Sequence, residues 1–190
     1  IDGDVCTFNV EEQNVPGEGY DSDITRHPNY PDRDLFVFNT ETDAPVDTVS
    51  SIGTLLYGLT ATDSGKVFIS MTEARNYVNG RAGTGTPKHS LLELENRAFL
   101  NQVGVVDCEN DECRKSTFEL EPLPPEQPER GDALAIPFGI QLSGDESTLV
   151  LTAAGSDILF TLDAETGAVL GRVDVGWTPR GLVLQSHDDG

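Results

Sequence analysis

Short apolar runs alternate with polar turn residues along most of the chain, a two-residue rhythm that belongs to β-strands rather than to helices. Phe36-Val37-Phe38 leads into Asn39, a polar loop containing Glu41-Thr42, and a second run from Val46. Leu159-Phe160-Thr161-Leu162 leads in the same way into Asp163, Glu165-Thr166 and Val169. Val105-Val106-Asp107-Cys108, continuing to Cys113, fits the same frame, which makes Asn39, Asp107 and Asp163 equivalent positions of a repeat.

The segment after each of these hairpins repeats as well. Gly53–Leu59 precedes Asp63-Ser64-Gly65 and Val67–Ser70; Ile136–Leu142 precedes Ser143–Glu146 and Thr148–Thr152; Val175–Leu184 precedes Ser186–Gly190. The unit is strand, Glu-Thr-type turn, strand, Gly-containing bend, strand, Asp/Gly-type turn, strand. Short strands at this spacing predict four-stranded antiparallel sheets of propeller-blade type. Gly58, Gly139 and Gly181 fall where an inner strand begins, a place where backbones crowd and a Cβ would clash. The Ser-Gly pairs of the turns are expected to supply positive φ.

The stretch Asp163-Ala164-Glu165-Thr166-Gly167, followed by Gly176-Trp177-Thr178-Pro179-Arg180-Gly181-Leu182, resembles the YVTN-type bacterial β-propeller repeat. The match is best over residues 158–190, looser over 35–70 and 103–152, and scarcely visible before residue 30. The resemblance implies an all-β fold of four-stranded blades and is nearly silent on function, because propellers host many unrelated activities. Bacterial propellers of this type are in some cases joined to di-haem, peroxidase-like c-type cytochrome domains. Propellers close with about 4–8 blades. Three repeats over residues 1–190 therefore predict one partial propeller, an incomplete ring whose other blades lie in further sequence of the same polypeptide or in another chain.

Two insertions interrupt the repeats. In residues 71–102, a Gly-rich stretch from Arg75 to Gly85 lacks the Gly-Lys-Ser/Thr ending of a phosphate loop. Ser90 with Glu93 then reads as a capping box, and Leu91, Leu92, Leu94 and Phe99 as an apolar stripe, which predicts one short helix over 90–100. Residues 119–131 are proline-rich and acidic and predict an extended surface loop.

Composition narrows the partners. Twelve basic against 33 acidic residues give a formal charge of −21. Such a chain is repelled by nucleic acid and anionic membrane and suits cations or basic partners, although most of the charge is accounted for by a solvated acidic surface. No apolar run reaches the roughly 20 residues needed to span a bilayer as a helix.

Cys108 and Cys113 sit at facing positions of the hairpin frame, close enough for a disulfide across a four-residue loop, and a metal or redox pair more often uses Cys-x-x-Cys. A disulfide implies an oxidising compartment, extracellular or periplasmic. Cys6 is then left without a mate. The isolated histidines His27, His89 and His187 come after no cysteine pair, so no covalent haem site is encoded here. Asp21, Asp23, Asp32 and Asp34 cluster before the first repeat with the hard oxygens that Ca²⁺ prefers, without EF-hand or RTX spacing. Arg180 has two readings, a channel-facing anion ligand or a hydrogen-bonding contact to a neighbouring blade.

Three functions fit this sequence: a secreted binding or assembly module without catalysis of its own, the propeller part of a c-type cytochrome or peroxidase-like oxidoreductase, and a metal-dependent hydrolase or lactonase. The motifs of nucleophilic and zinc hydrolases are missing from the sequence.

Overall fold

The alternating runs form strands because each has a neighbouring strand to pair with and an apolar face to bury. The computed structural model describes residues 7–9, 23–25, 33–75, 94–95, 97–109 and 112–185. They fall into two compact units, Ile1–Ile52 with Arg75–Ala98, and Gly53–Ala74 with Phe99–Gly190.

In the first unit, β1 (Thr7–Asn9) pairs antiparallel with β2 (Asp23–Thr25), and β3 (Arg33–Phe38) with β4 (Pro45–Ser50). Leu35 and Val49 are cross-strand partners on one face of the β3–β4 hairpin and both are buried. Phe36 and Phe38, on the opposite face, are exposed. Arg75 is buried in the same unit. Its guanidinium donates to the carbonyls of Leu94 (2.6 Å) and Arg97 (3.1 Å) and pairs with Glu95 at 2.9 Å.

The second unit holds two four-stranded antiparallel sheets, each running in chain order: β5 (Leu55–Ala61), β6 (Val67–Ala74), β7 (Phe99–Glu109), β8 (Glu112–Glu119), and β9 (Pro137–Leu142), β10 (Thr148–Ala153), β11 (Ile158–Asp163), β12 (Val169–Asp174). These are the expected blades, and neither sheet closes into a barrel. Each takes the Gly-bend hairpin of one sequence repeat and the Glu-Thr-type hairpin of the next.

The sheets pack face to face. Phe68, Val103 and Val105 of the first, Leu149, Leu151, Phe160 and Leu162 of the second, and Leu120 and Leu134 from the connection form one core cluster. Full burial of each such side chain is worth about 1.5–3 kcal/mol, which makes this joint the main source of the unit's stability. Around it, the Phe118 ring lies against Gly167 of the β11–β12 turn, and Glu146 accepts a hydrogen bond from the Asp63 amide at 2.6 Å.

Two expectations need correction. Among the described residues there is no helix. Phe99 and Leu100 open β7, Leu94 and Glu95 form a turn, and Glu95 has φ 53°; the remainder of 90–98, apart from Arg97 and Ala98, lies outside the described residues. Pairing of Phe99–Glu109 with β6 on one edge and β8 on the other outweighs a stripe that a strand can also satisfy. The proline-rich segment is largely exposed coil over 122–131, as expected, and departs from a surface loop only at its start. Glu119 ends β8, and Leu120 and Glu121 are buried, the Glu121 carboxylate accepting from the Leu134 amide (2.9 Å) and the Asn101 side chain (3.1 Å). Of the two Ser-Gly turns, Gly65 takes positive φ in the first, whereas Glu146 rather than Gly144 does so in the second.

Candidate functional site

The first strands of the two blades each carry an aromatic residue followed by a glycine, Tyr57-Gly58 in β5 and Phe138-Gly139 in β9. Arg180-Gly181 repeats the step after β12. These three positions stand in one column: the Tyr57 and Phe138 rings stack with centroids 5.0 Å apart, and the Arg180 guanidinium lies 5.2 Å from the Phe138 centroid. Arg180 is solvent-exposed, so its cation–π contact is of the weaker, hydrated kind.

A hydroxyl behind each glycine locks the step. The Ser70 hydroxyl accepts from the Gly58 amide (3.1 Å) and donates to the Phe138 carbonyl (2.6 Å). The Thr152 hydroxyl accepts from the Gly139 amide (2.8 Å) and lies 3.4 Å from the Arg180 carbonyl it faces. A Cβ on Gly58 would come within 2.9 Å of the Phe138 carbonyl oxygen, and one on Gly139 within 2.5 Å of that of Arg180, so both positions admit only glycine without a backbone shift. A second pair of polar groups fixes where each new strand starts. Asn101 accepts from the Ile136 amide (3.1 Å) and Asp157, its counterpart in the next blade, from the Thr178 amide (2.8 Å); Ile136 and Thr178 both have positive φ.

The turn acids are built for structure. The Asp163 carboxylate accepts from the Glu165 and Thr166 amides and the Thr166 hydroxyl, and Asn39 holds the same three partners around Glu41 and Thr42. The Thr166 amide and then its hydroxyl hold the Asp163 pKa below the ordinary carboxylate value; for Asp145 the Ser143 hydroxyl is the largest cause, followed by that of Ser147. Asp107 shares the strand position of Asn39 and Asp163 but not their surroundings. Its hairpin continues the ladder past it to Glu109↔Glu112, so Asp107 lies opposite Arg114 and reaches Lys66 at 3.7 Å, an exposed pair of little energetic weight.

The structure joins Cys108 to Cys113 as a disulfide, with the two residues direct cross-strand partners in the β7–β8 ladder and not on either side of an open four-residue loop. Of the candidate calcium ligands, Asp21 and Asp32 lie outside the described residues, and Asp23 is in β2 opposite Asn9. Asp34 accepts a hydrogen bond from the Ile52 amide at 2.6 Å. No three His, Cys, Asp or Glu side chains gather as a metal group among the described residues. Cys6 and the three histidines lie outside them. The residues that sequence reasoning missed are Ser70, Thr152, Asn101, Asp157 and Glu121. Carrying the repeat alignment back to the start of the same strands finds the pair Asn101 and Asp157, while nothing in the sequence marks Glu121.

No family model matches the chain, and no curated protein matches it in sequence. Its fold is similar to that of a solved structure, hydrazine synthase of Kuenenia stuttgartiensis, with a TM-score of 0.56 and 12% identity over 76% of this chain. The match spans 43% of that chain. No described helix is long and apolar enough to cross a membrane.

Proposed function

We propose that the chain is a β-propeller module of a secreted or periplasmic protein that works by binding and assembly, with no catalysis by these residues. One observation carries the reading. The polar side chains at the strand ends are engaged in holding neighbouring backbone, whereas large apolar side chains, Phe36, Phe38, Val173 and Trp177, stand exposed on a highly charged chain. Exposed apolar groups on an otherwise well-solvated surface are the usual mark of an interface. The Cys108–Cys113 disulfide supports an oxidising compartment. Native mass spectrometry of the protein taken from its source tests this: the polypeptide is expected in species heavier than its own covalent mass under denaturing conditions, and recovery of the single polypeptide alone overturns it.

A second reading has the module serve a c-type cytochrome or peroxidase-like oxidoreductase whose haem domain lies outside these residues. The fold similarity to an enzyme, hydrazine synthase, supports it. A Soret band in the same isolated material is its expected signature, and a spectrum without one removes it.

A further inference from the structure

We propose, independently of the binding reading, that the Cys108–Cys113 disulfide is a register lock. It holds β8 one residue away from the pairing that the repeat otherwise uses, and its reduction releases β8 to that second register and loosens the joint between the blades.

Three hairpins share one place in the repeat, and two of them pair alike. Leu35 lies opposite Val49 and Val37 opposite Asp47; at the equivalent positions Leu159 lies opposite Val173 and Thr161 opposite Gly171. Both ladders then shift by one residue and enter the same turn, in which the Asn39 amide donates to the Ala44 carbonyl and the Asp163 amide to that of Ala168, each at 2.9 Å. Carried over to Asp107, this pattern sets Val103 opposite Thr117 and Val105 opposite Lys115. The partners in the structure are instead Phe118 and Ser116, and the ladder runs on unshifted through Cys108↔Cys113 to Glu109↔Glu112. The β7–β8 hairpin is thus one residue out of step with both of its counterparts.

A slip of one residue turns every side chain of a strand to the other face. In the register observed, Phe118 shares a face with Val103, Val105 and Phe68, packs on the core cluster and lies against Gly167. Leu120 follows it into the same cluster, its amide donating to the Asn101 carbonyl at 3.2 Å. In the second register Thr117 and Lys115 would take that face. The core therefore favours the observed pairing, whereas the local sequence favours the other. Asp107-Cys108-Glu109-Asn110-Asp111 repeats the pattern of Asn39-Thr40-Glu41-Thr42-Asp43, with a side-chain acceptor first and an aspartate fifth, the place where Asp43 takes the positive φ (54°) of the turn. Cys108 and Cys113 are direct partners only in the observed register, so a bond between them decides the conflict for the core. A dithiol reductant breaks the S–S bond with two electrons and two protons, leaving two thiols and its own disulfide, and the turn then competes again.

Amide hydrogen exchange followed by NMR on the oxidised and the dithiol-reduced protein tests this. Antiparallel strands bond at every second residue, so the Leu120 bond puts the Ser116 and Phe118 amides in the same row of bonds to β7. Those bonds are lost in the second register. Reduction is expected to speed exchange at Ser116 and Phe118 more than about tenfold, with β10 nearly unchanged. Cys108→Ser/Cys113→Ser, which leaves Cys6 untouched, is expected to match the reduced protein. The faster exchange is expected to persist in reduced Asp107→Asn, because Asn39 builds the same turn, and to vanish in reduced Asp107→Ala, which lacks the acceptor. Unchanged exchange at Ser116 and Phe118 on reduction, or oxidised rates in the double-serine variant, overturns the proposal. So does acceleration that survives Asp107→Ala, which would be plain fraying of the hairpin end.

Discussion

Phe160 and Phe36 hold the same place in the repeat, yet the first is shut inside a joint between sheets and the second stands half in water. Their hairpins have similar sequence, the same turn chemistry and the same internal register, although β11 also pairs with β10, so the difference does not arise within the hairpin. It arises from whether a sheet lies across the face. A propeller blade is therefore a poor unit of stability, since most of its apolar transfer energy is realised only when a neighbour arrives. The joint between the β5–β8 and β9–β12 sheets is where the described chain shows that energy realised, and the faces around Phe36 and Val173 are where it is still available.

The widest separation should come from truncating the two phenylalanines. Phe160→Ala removes a fully buried ring from the core cluster and should lower the unfolding free energy by about 3–5 kcal/mol. Phe36→Ala, measured in dilute chain at low salt, should cost less than about 1 kcal/mol, as exposed substitutions usually do. Urea unfolding midpoints at constant slope decide the matter. Equal losses at the two positions would break the comparison.

Next in size is the hydroxyl that locks the joint. Ser70→Ala leaves the Gly58 amide and the Phe138 carbonyl without their shared partner in a buried place and should cost about 1–2 kcal/mol. Thr152→Ala removes the same device facing the Arg180 carbonyl, beside an exposed segment where water can substitute, and should cost less. A larger loss at Thr152 would show that residues around Arg180 are held as firmly as a complete blade.

How much of the fold was legible beforehand depends on which forces leave a mark in sequence. Strand alternation around Leu159–Leu162 is a burial pattern and reads directly, as does the Asn39 and Asp163 turn chemistry, which depends on neighbours two and three residues away. The disulfide was legible because cross-strand proximity is set by the hairpin. The helix expected over 90–100 failed because apolar residues near Phe99 satisfy either period, and only pairing with β6 and β8 selects a strand. Strand β8 was expected from the hairpin frame alone, because Glu112–Glu119 is charged along an edge, which protects against edge-to-edge pairing and erases the alternation. The joint itself was invisible. Ser70 and Thr152 look like solvent-facing hydroxyls until the partner carbonyl is brought from a distant strand.

The smallest effect separates turn from joint. Asp145 and Asp163 both have folded pKa values below the ordinary carboxylate value, because hydroxyls and amides of their own turns favour the ionised form. A group whose pKa is depressed by folding adds stability that is complete above its unfolded value, about 3.9 for aspartate, and that fades as pH falls through the lower folded value. The chain should therefore lose stability on acidification below about pH 4 through these turns. Asp163→Asn should keep the turn, since Asn39 makes the same three hydrogen bonds with an uncharged carbonyl, and should flatten that part of the acid limb. Asp145 is exposed and Asp163 only partly buried, so the change should be a shift in the acid-unfolding midpoint with the neutral-pH midpoint nearly unmoved. An unaltered acid limb in Asp163→Asn would mean that the limb belongs to other carboxylates, and a collapse at neutral pH would mean that the turn at Asp163 differs from its counterpart at Asn39 in what it holds together.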